Sequence, residues 1–553
     1  MLSERFLTNL VKGMTKRHLD LQPTDEHFFP DPKPDTKYML YLHVPFCQVL
    51  CPYCSFNRYV FHEDIARTYF KNLRREMMML KERGWDFETL YFGGGTPTIL
   101  LDELCETIDL ARDNFHIKEV GVETNPNHLA EPWLSEMKGR VQRLSVGVQS
   151  FNNDLLKQMD RYKKYGSGEE IFERIGQAAP YFDSVNVDMI FNFPSQTEDI
   201  LLDDLEKIVS CGARQTTFSP LYVSSATTRK MEKSLGKMDY NREFRYYQIL
   251  DEVLCGGEHP FFSRDTIWTF NRLNQQGAHD HNLYAEELQV AYNEYPGIGS
   301  GSITHLNGAL YVNTFSLKEY NEAIEAGHMS IMGKCVMSKR DLARYYFLLH
   351  LYQLRLDKND FKKQFGCSIE RLLPAEMAFY RAHRAFATDN RDELTLTTMG
   401  RYLTLILYRQ FLSGMNNLRD QARDALDGEE HNLLFGDETN CSACLELPGL
   451  RNVFNGRHRA RCRLFFAPKR LFADTFPARS PGKCAKSRKV SPCSARKALL
   501  YSPTKISVQG EVKFLTGGDV PRCTKQQGEV RDPGRLQAGG PTAAAPQPVR
   551  LIW

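Results

Sequence analysis

Three cysteines lie close together near the start of this chain and are suited to bind a metal cluster. Cys47, Cys51 and Cys54 follow the spacing C-x3-C-x2-C on one short segment. Thiolates so placed can each bind one iron of a 4Fe-4S cluster and leave the fourth iron without a protein ligand. A structural zinc site needs a fourth Cys or His nearby, whereas Ser55 and Phe56 follow here. The spacing favours an open cluster, and zinc completed by a distant ligand is the alternative.

Two further features stand at the ends of predicted strands. The glycine run YFGGGTP occupies residues 91–97, although a glycine-rich turn by itself is a weak signal. Asp188 lies within SVNVDMIF (184–191), which is predicted to be an otherwise buried parallel strand. A carboxylate buried in such a strand is costly unless it has a partner, so Asp188 is predicted to be functional. His43 precedes the cysteines and is interpreted as a residue of the preceding strand, facing the barrel that the strands are predicted below to form.

The elements that must position these residues alternate regularly between strands and helices. The predicted strands are 38–44, 89–94, 120–125, 143–150, 184–191 and 216–223. Amphipathic helical patterns such as 63–84 and 197–212 lie between them. This order predicts an α/β fold with a parallel sheet, as a partial or complete (β/α) barrel of the TIM type. Chemistry in such barrels takes place at the carboxyl ends of the strands.

The rest of the chain divides by composition and periodicity. The predicted parts are an N-terminal extension (1–37), the core barrel (38–230), an extension of the core (231–335), a small mainly helical domain (336–427) and a basic tail predicted to be disordered (428–553). That tail contains the pair Cys441 and Cys444, with Cys462 beyond. The pair is interpreted as incidental, with a zinc or redox site as the alternative.

Charge and hydropathy restrict the class of protein. Residues 451–553 hold about 21 Lys and Arg against about 5 Asp and Glu, so the remainder of the chain is mildly acidic and is not expected to bind nucleic acid. No apolar run is long enough for a membrane span or an export signal. We therefore expect a cytoplasmic protein with reduced cysteines.

Seven motifs in order resemble one family. They are YLHVPFCxxxCPYCSF, FGGGTPT, VETNP, LSVGVQSF, NVDMIFNFPSQT, GIGSGS and LTTMGRYL, and they run from about residue 38 to 425. Together they resemble the radical S-adenosylmethionine (SAM) superfamily, and within it oxygen-independent coproporphyrinogen III oxidase and its relatives, which include the haem chaperone HemW. The resemblance implies a 4Fe-4S cluster on the three cysteines and SAM bound at the open iron.

The resemblance also implies which residues contact SAM. They are Tyr41, Tyr53, Gly94, Gly95, Thr96, Glu123, Gln149, Arg161, Asp188 and Ile303. Among them, Gly94 to Thr96 resemble the contacts to the methionine part of SAM, and Glu123 resembles the carboxylate that binds its hydroxyls. Arg161 resembles the arginine that pairs with the SAM carboxylate. A plain core role for Ile303 fits equally well.

The implied reaction is reductive cleavage of SAM to a 5′-deoxyadenosyl radical, which abstracts hydrogen from a tetrapyrrole. The electron would come from a flavodoxin- or ferredoxin-like donor. Oxidative decarboxylation of a porphyrinogen, radical methylation and haem delivery are alternative outcomes. The oxidase has a fourth cysteine where this chain has Phe56, and CPYCSFN is nearer to the chaperone. His279 and His281 only partly meet the chaperone's histidine pattern.

Overall fold

Every strand predicted for the barrel forms. The computed structural model describes residues 21–273, 294–423 and 426. Its strands are β1 (Gln22–Pro23), β2 (Met39–Val44), β3 (Phe46–Cys47), β4 (Tyr59–Val60), β5 (Thr89–Gly94), β6 (Glu119–Thr124), β7 (Arg143–Gln149), β8 (Ser184–Phe191), β9 (Gln215–Pro220), β10 (Phe262–Arg264), β11 (Thr269–Arg272), β12 (Gly297–Ile298), β13 (Ile303–Leu306), β14 (Ala309–Asn313), β15 (Ile331–Val336), β16 (Arg355–Asp357), β17 (Phe386–Asp389) and β18 (Glu393–Leu396).

The main sheet is a partial barrel. Its strand order is β10-β11-β9-β8-β7-β6-β5-β2-β12. The strands from β9 to β12 pair in parallel, and β11 and β10 extend the β9 edge in antiparallel fashion. The predicted fold class, an α/β barrel that is not fully closed, is therefore confirmed. Because the central strands are parallel, their carboxyl ends all lie at one rim, where a site can form.

Helices follow most of the parallel strands and cover the sheet. They are α1 (Glu63–Glu82), α2 (Leu101–Asn114), α3 (Trp133–Met137), α4 (Asn153–Gln158), α5 (Tyr162–Tyr165), α6 (Gly168–Ala178), α7 (Glu198–Ser210), α8 (Ser225–Leu235), α9 (Glu243–Leu254), α10 (Leu317–Glu325), α11 (Lys339–Tyr352), α12 (Lys358–Phe365), α13 (Ile369–Leu372), α14 (Pro374–Ala382) and α15 (Thr398–Arg423). Apolar side chains of both layers form one continuous core, as expected for strands buried on both faces.

The C-terminal segment contains helices, as predicted, and also a small sheet. Strands β16, β18 and β17 pair in antiparallel fashion beside α11 to α15. The sequence did not predict these strands, because three or four residues with one exposed face carry little periodicity. Leu349 of α11 and Leu405 of α15 are buried in the main core. Independent folding of residues 336–427 stays a prediction.

No helix within residues 21–273 and 294–423 has both the length and the apolar character required to cross a bilayer. His279, His281 and the cysteines of the tail lie outside the described residues.

A buried carboxylate on α7 holds the turn that follows β7. Ser150 Oγ donates to Asp204 Oδ2 over 2.8 Å, and the Phe151 amide donates to Asp204 Oδ1 over 2.7 Å. Gln149, just before them, has a φ of +77°, a conformation that non-glycine residues seldom adopt. Burial raises the pKa of Asp204 to about 7. Asp204 thus stabilises an unusual backbone turn while it is partly protonated at neutral pH.

We expect Asp204→Asn to remove a pH dependence of stability. The folded pKa of about 7 exceeds the usual value of about 3.9, so the contribution of this group to the free energy of unfolding is largest below about pH 4 and is lost as the pH rises through 7. Relative to wild type, the variant should gain about 2–3 kcal/mol between pH 5 and 8. Urea unfolding across this range measures the difference. Asp203→Asn, on the same helix but half-exposed beside Lys207, is the control, and an equal gain there would contradict the assignment.

Candidate active site

A cavity of about 420 Å³ opens at the carboxyl ends of the parallel strands, within the range of small-molecule sites. Its walls include all three cysteines of the C-x3-C-x2-C motif. They also include nearly every predicted SAM contact, namely Tyr41, Tyr53, Gly94, Gly95, Glu123, Gln149, Arg161, Asp188 and Ile303. Thr96 lies behind this surface and donates a hydrogen bond to Cys47 Sγ over 3.6 Å. The tertiary structure thus brings the predicted residues together.

The cysteine loop is held by contacts on both sides. Cys47 ends β3, which pairs with β4 beyond the loop. Arg58 Nη2 donates to the backbone oxygens of Cys51 and Cys54, each over 2.7 Å. Cys47 and Cys51 are buried and Cys54 is half-buried. The guanidinium of Arg58 therefore closes the loop and turns it towards the cavity.

The glycine run lets β5 approach the cysteine loop closely. The Gly95 amide donates to the Val44 carbonyl over 2.8 Å. A Cβ atom at Gly95 would lie 2.6 Å from the Phe46 carbonyl oxygen, and one at Gly94 would lie 2.6 Å from the His43 ring. Gly94 also has a φ of +114°, which favours glycine. A side chain at Gly95 would push the backbone before Cys47 away, and one at Gly94 would displace the His43 ring.

Two partly buried carboxylates face the cavity from β6 and β8, the strands on either side of β7. Glu123 accepts hydrogen bonds from the Gly94 amide (3.0 Å) and the Tyr91 hydroxyl (3.1 Å). Burial, and next the charge of Asp188, raise the pKa of Glu123 to about 7. Asp188 accepts from Ser145 Oγ over 2.8 Å and from Asn186 Nδ2 over 2.7 Å, and burial raises its pKa too. Asp188 thus has the polar partners that its burial requires.

Arg161 places a cation directly beside the cysteines. Its side chain is 4% exposed, and its Nη1 lies 3.5 Å from Cys51 Sγ. Nη2 donates to Asn125 Oδ1 over 3.0 Å and also to the Gly147 carbonyl. The guanidinium packs over the Tyr165 ring at 4.3 Å. Within the described residues, Arg161 Nε is buried without a hydrogen-bond partner, so this arginine retains a donor for an anion.

The remaining predicted contacts are positioned by neighbouring side chains. His43, which faces the cavity as predicted, has its Nδ1 2.9 Å from the Tyr41 hydroxyl. Ile303 follows the GIGSGS turn, which is anchored by the buried carboxylate of Glu76. Glu76 accepts hydrogen bonds from the Gly299 amide and the Tyr320 hydroxyl, both over 2.8 Å.

The donor set fits a cubane cluster better than a single ion. Within residues 21–273 and 294–423, no three His, Cys, Asp or Glu side chains are arranged to hold one metal ion. In a cluster each thiolate binds a different iron, so the sulfur atoms need not converge on one point. Burial raises the pKa of the Cys47 thiol to about 12, and a bound iron would replace that proton.

Sequence reasoning missed several residues of the cavity wall. Arg58 follows the last cysteine closely, and an arginine there was a usable signal. Arg143 opens β7, is 1% exposed, and donates from Nε and Nη2 to Gln215 Oε1. The wall contributed by α11 and α15 includes Tyr345, Tyr408 and Arg419. Local sequence carried no signal for these three residues, because they reach the cavity only through the packing of distant helices.

Comparison with known proteins agrees with this geometry. A sequence profile described as the radical SAM superfamily matches residues 41–208. The chain carries a radical SAM domain. Enzymes that share this domain generally use a 4Fe-4S cluster and SAM. The resemblance drawn from the motifs is therefore confirmed at the level of the family.

Named relatives of this chain fall into two groups. The haem chaperone HemW of Bacillus subtilis (strain 168) is 26% identical over 381 residues, which cover 67% of this chain and 98% of that protein. An oxygen-independent coproporphyrinogen III oxidase of Helicobacter pylori (strain ATCC 700392 / 26695) is 26% identical over 369 residues, covering 61% and 79%. The solved structure of coproporphyrinogen III oxidase (HemN) from Escherichia coli matches with a TM-score of 0.57 and 20% identity, covering 69% of this chain and 91% of that one. The structural match supports the fold.

Proposed function

We propose that this protein binds a 4Fe-4S cluster through Cys47, Cys51 and Cys54, binds SAM in the adjoining cavity, and acts by radical chemistry on a tetrapyrrole. One observation carries the proposal. The three thiols, a buried arginine and a partly buried carboxylate all face a single cavity at the carboxyl ends of parallel strands. When bound and reduced, the cluster and SAM together supply hydrogen-atom abstraction.

The residues of the chain bind and orient SAM. Arg161 pairs with the SAM carboxylate, because its planar guanidinium suits a carboxylate and lies beside Cys51. Backbone groups of Gly94 and Gly95 contact the amino group of SAM next to the cluster. Glu123 accepts hydrogen bonds from ribose hydroxyls, and its existing partners at Gly94 and Tyr91 leave acceptor capacity. Tyr41, Tyr53 and Ile303 provide apolar and aromatic surface, while Gln149 and Asp188 complete the polar wall.

The cavity also excludes water from the reacting atoms. Aromatic residues of the barrel extension and of α15 form part of its wall. Trp268 and Tyr408 pack edge to face with ring centroids 5.3 Å apart, and Tyr352 lies 4.5 Å from Tyr408. Such a wall shields a reactive intermediate and strengthens electrostatic contacts within the site.

The electron donor is proposed to be flavodoxin- or ferredoxin-like.

A second candidate is a haem-binding protein of the HemW type. Relatives named as haem chaperones match over nearly their full length. In addition, this chain has Phe56 at the position where the resemblance to the oxidase leads one to expect a fourth cysteine. Such a protein would keep the cluster and SAM sites and would bind haem without converting a porphyrinogen.

The deciding experiment is a product assay on protein reconstituted without oxygen. Reduced protein is incubated with SAM and coproporphyrinogen III, and 5′-deoxyadenosine and decarboxylated porphyrinogen are measured by mass spectrometry. We expect both products, in amounts that rise together with time. Deoxyadenosine without a changed porphyrinogen would require another substrate. Stable binding of haem without deoxyadenosine would favour the second candidate, and a single tetrahedral metal in place of the cluster would refute the radical chemistry.

A further inference from the structure

The cavity has a second half that the barrel motifs do not build. Beyond the cysteines and the SAM contacts, its wall includes apolar and aromatic side chains of the barrel extension, α11 and α15. Prominent among them are Trp268, Tyr345, Leu349, Tyr408, Phe411 and Met415. Tyr345 and Phe411 have ring centroids 5.9 Å apart, so α11 and α15 contact each other along this wall. We call this half of the cavity the aromatic chamber.

One cation stands at the rim of the aromatic chamber. Arg419, in the last turns of α15, lines the same cavity as the cysteines. Its guanidinium lies 5.1 Å from the centroid of the Phe56 ring, just after the last cysteine. Nη1 donates to Asn416 Oδ1 over 2.6 Å. Through this contact between Arg419 and Phe56, α15 packs against the cysteine loop at the rim.

Arg419 has an unused donor and no carboxylate partner in the described part of the chain. Its Nε atom is buried and has no hydrogen-bond partner among the described residues. None of the ion pairs found between described residues involves it, although most other arginines of the cavity region and of α15 have acidic or amide partners. Burial lowers the pKa of Arg419. A partly buried guanidinium without a counter-ion is costly, and an anionic ligand removes that cost.

We propose that the aromatic chamber binds the substrate and that Arg419 binds one of its carboxylates. The ligand class is a flat, largely apolar molecule that carries a carboxylate at its edge. This inference rests on the proposed function, because it assumes that the cavity beside the cysteines is the active site. It assigns substrate recognition to α11 and α15, outside the radical SAM domain at residues 41–208. Guanidinium favours carboxylate because two N–H groups can donate in parallel.

The test measures binding separately from turnover. The full chain, reconstituted with its cluster, is titrated with coproporphyrin III and with its tetramethyl ester, and binding is followed by fluorescence quenching. We expect Arg419→Met to weaken binding of the free acid about 10- to 100-fold, the loss typical of a charge-assisted hydrogen bond. Binding of the ester should not change between wild type and variant. The affinity of Arg419→Lys for the free acid should lie between those of wild type and Arg419→Met, because lysine keeps the charge but not the two parallel donors.

Controls separate failure of this inference from failure of the proposed function. Arg391→Met removes an exposed arginine that does not line the cavity, and it should bind both ligands like wild type. Iron content and SAM affinity are measured for every variant and should be unchanged by Arg419→Met. Equal binding of the free acid by wild type and Arg419→Met would overturn the inference while leaving the cluster and SAM sites intact. Loss of iron in Arg419→Met would also overturn it, because Arg419 would then act on the cysteine loop through Phe56. Wild type that cleaves SAM but binds no coproporphyrin would overturn both the inference and the tetrapyrrole substrate.

Discussion

Cys51→Ala protein, reconstituted without oxygen, should contain no 4Fe-4S cluster and should produce no 5′-deoxyadenosine. The variant leaves two thiols on the loop, and two cannot hold three irons of a cubane. Cys51 is also the sulfur that Arg161 contacts at 3.5 Å, so its loss removes the link between the cluster and the proposed SAM site. Iron and sulfide analysis, the absorption of the cluster and the deoxyadenosine assay measure the effect. Cys47→Ala and Cys54→Ala should lose the cluster and the 5′-deoxyadenosine product in the same way as Cys51→Ala.

A matched control comes from another buried cysteine of the same domain. Cys105 lies on α2, is 8% exposed and does not line the cavity. Cys105→Ala should therefore keep a full cluster and lose only a modest amount of stability. A complete cluster in Cys51→Ala would contradict the assignment of ligands. Loss of iron from Cys105→Ala as well would show that the measurement reports general unfolding.

The second large effect is expected from a single methyl group at the glycine run. In Gly95→Ala the added Cβ would lie 2.6 Å from the Phe46 carbonyl oxygen and 2.8 Å from the Phe46 amide nitrogen. Both are backbone atoms, so the methyl can fit only if the strand before Cys47 moves. Overpacking of this kind costs about 1–3 kcal/mol, and here the strain falls on the cluster loop. We expect cluster occupancy and SAM cleavage to drop about tenfold or more.

Gly176→Ala is the control for this steric argument. Gly176 lies within α6, and a Cβ there would meet only the Cys211 carbonyl oxygen at an ordinary 3.7 Å. Alanine in a helix interior is more stable than glycine by about 0.5–1 kcal/mol. This variant should therefore be at least as stable as wild type and should contain a full cluster. Iron content and thermal unfolding of the two variants are compared side by side. Full loading of Gly95→Ala would mean that the close approach of the two backbones is not needed for the cluster.

The sequence by itself determined the barrel and the identity of the reactive loop. Largely apolar runs such as 38–44 and 184–191 became the parallel strands β2 and β8, because strands buried on both faces are rich in apolar residues. Residues at the ends of parallel strands meet at one rim whatever the details of packing. The three cysteines could therefore be placed at this rim from their position after the first strand, whereas Glu123 and Arg161 were assigned through the resemblance of the motifs. The motif spacing that identified the family is local information of the same kind.

Only the tertiary structure decided which other residues complete that site. Arg58 ties the cysteine loop through the backbone carbonyls of Cys51 and Cys54, a role that sequence reasoning did not assign to it. Asp204 holds the turn after Gln149 from a helix more than fifty residues away in sequence. Above all, α15 brings Arg419 against Phe56 across more than three hundred and fifty residues of chain. Such contacts depend on how whole helices pack against the sheet, and the packing arises from the summed burial of many side chains, which no local pattern encodes.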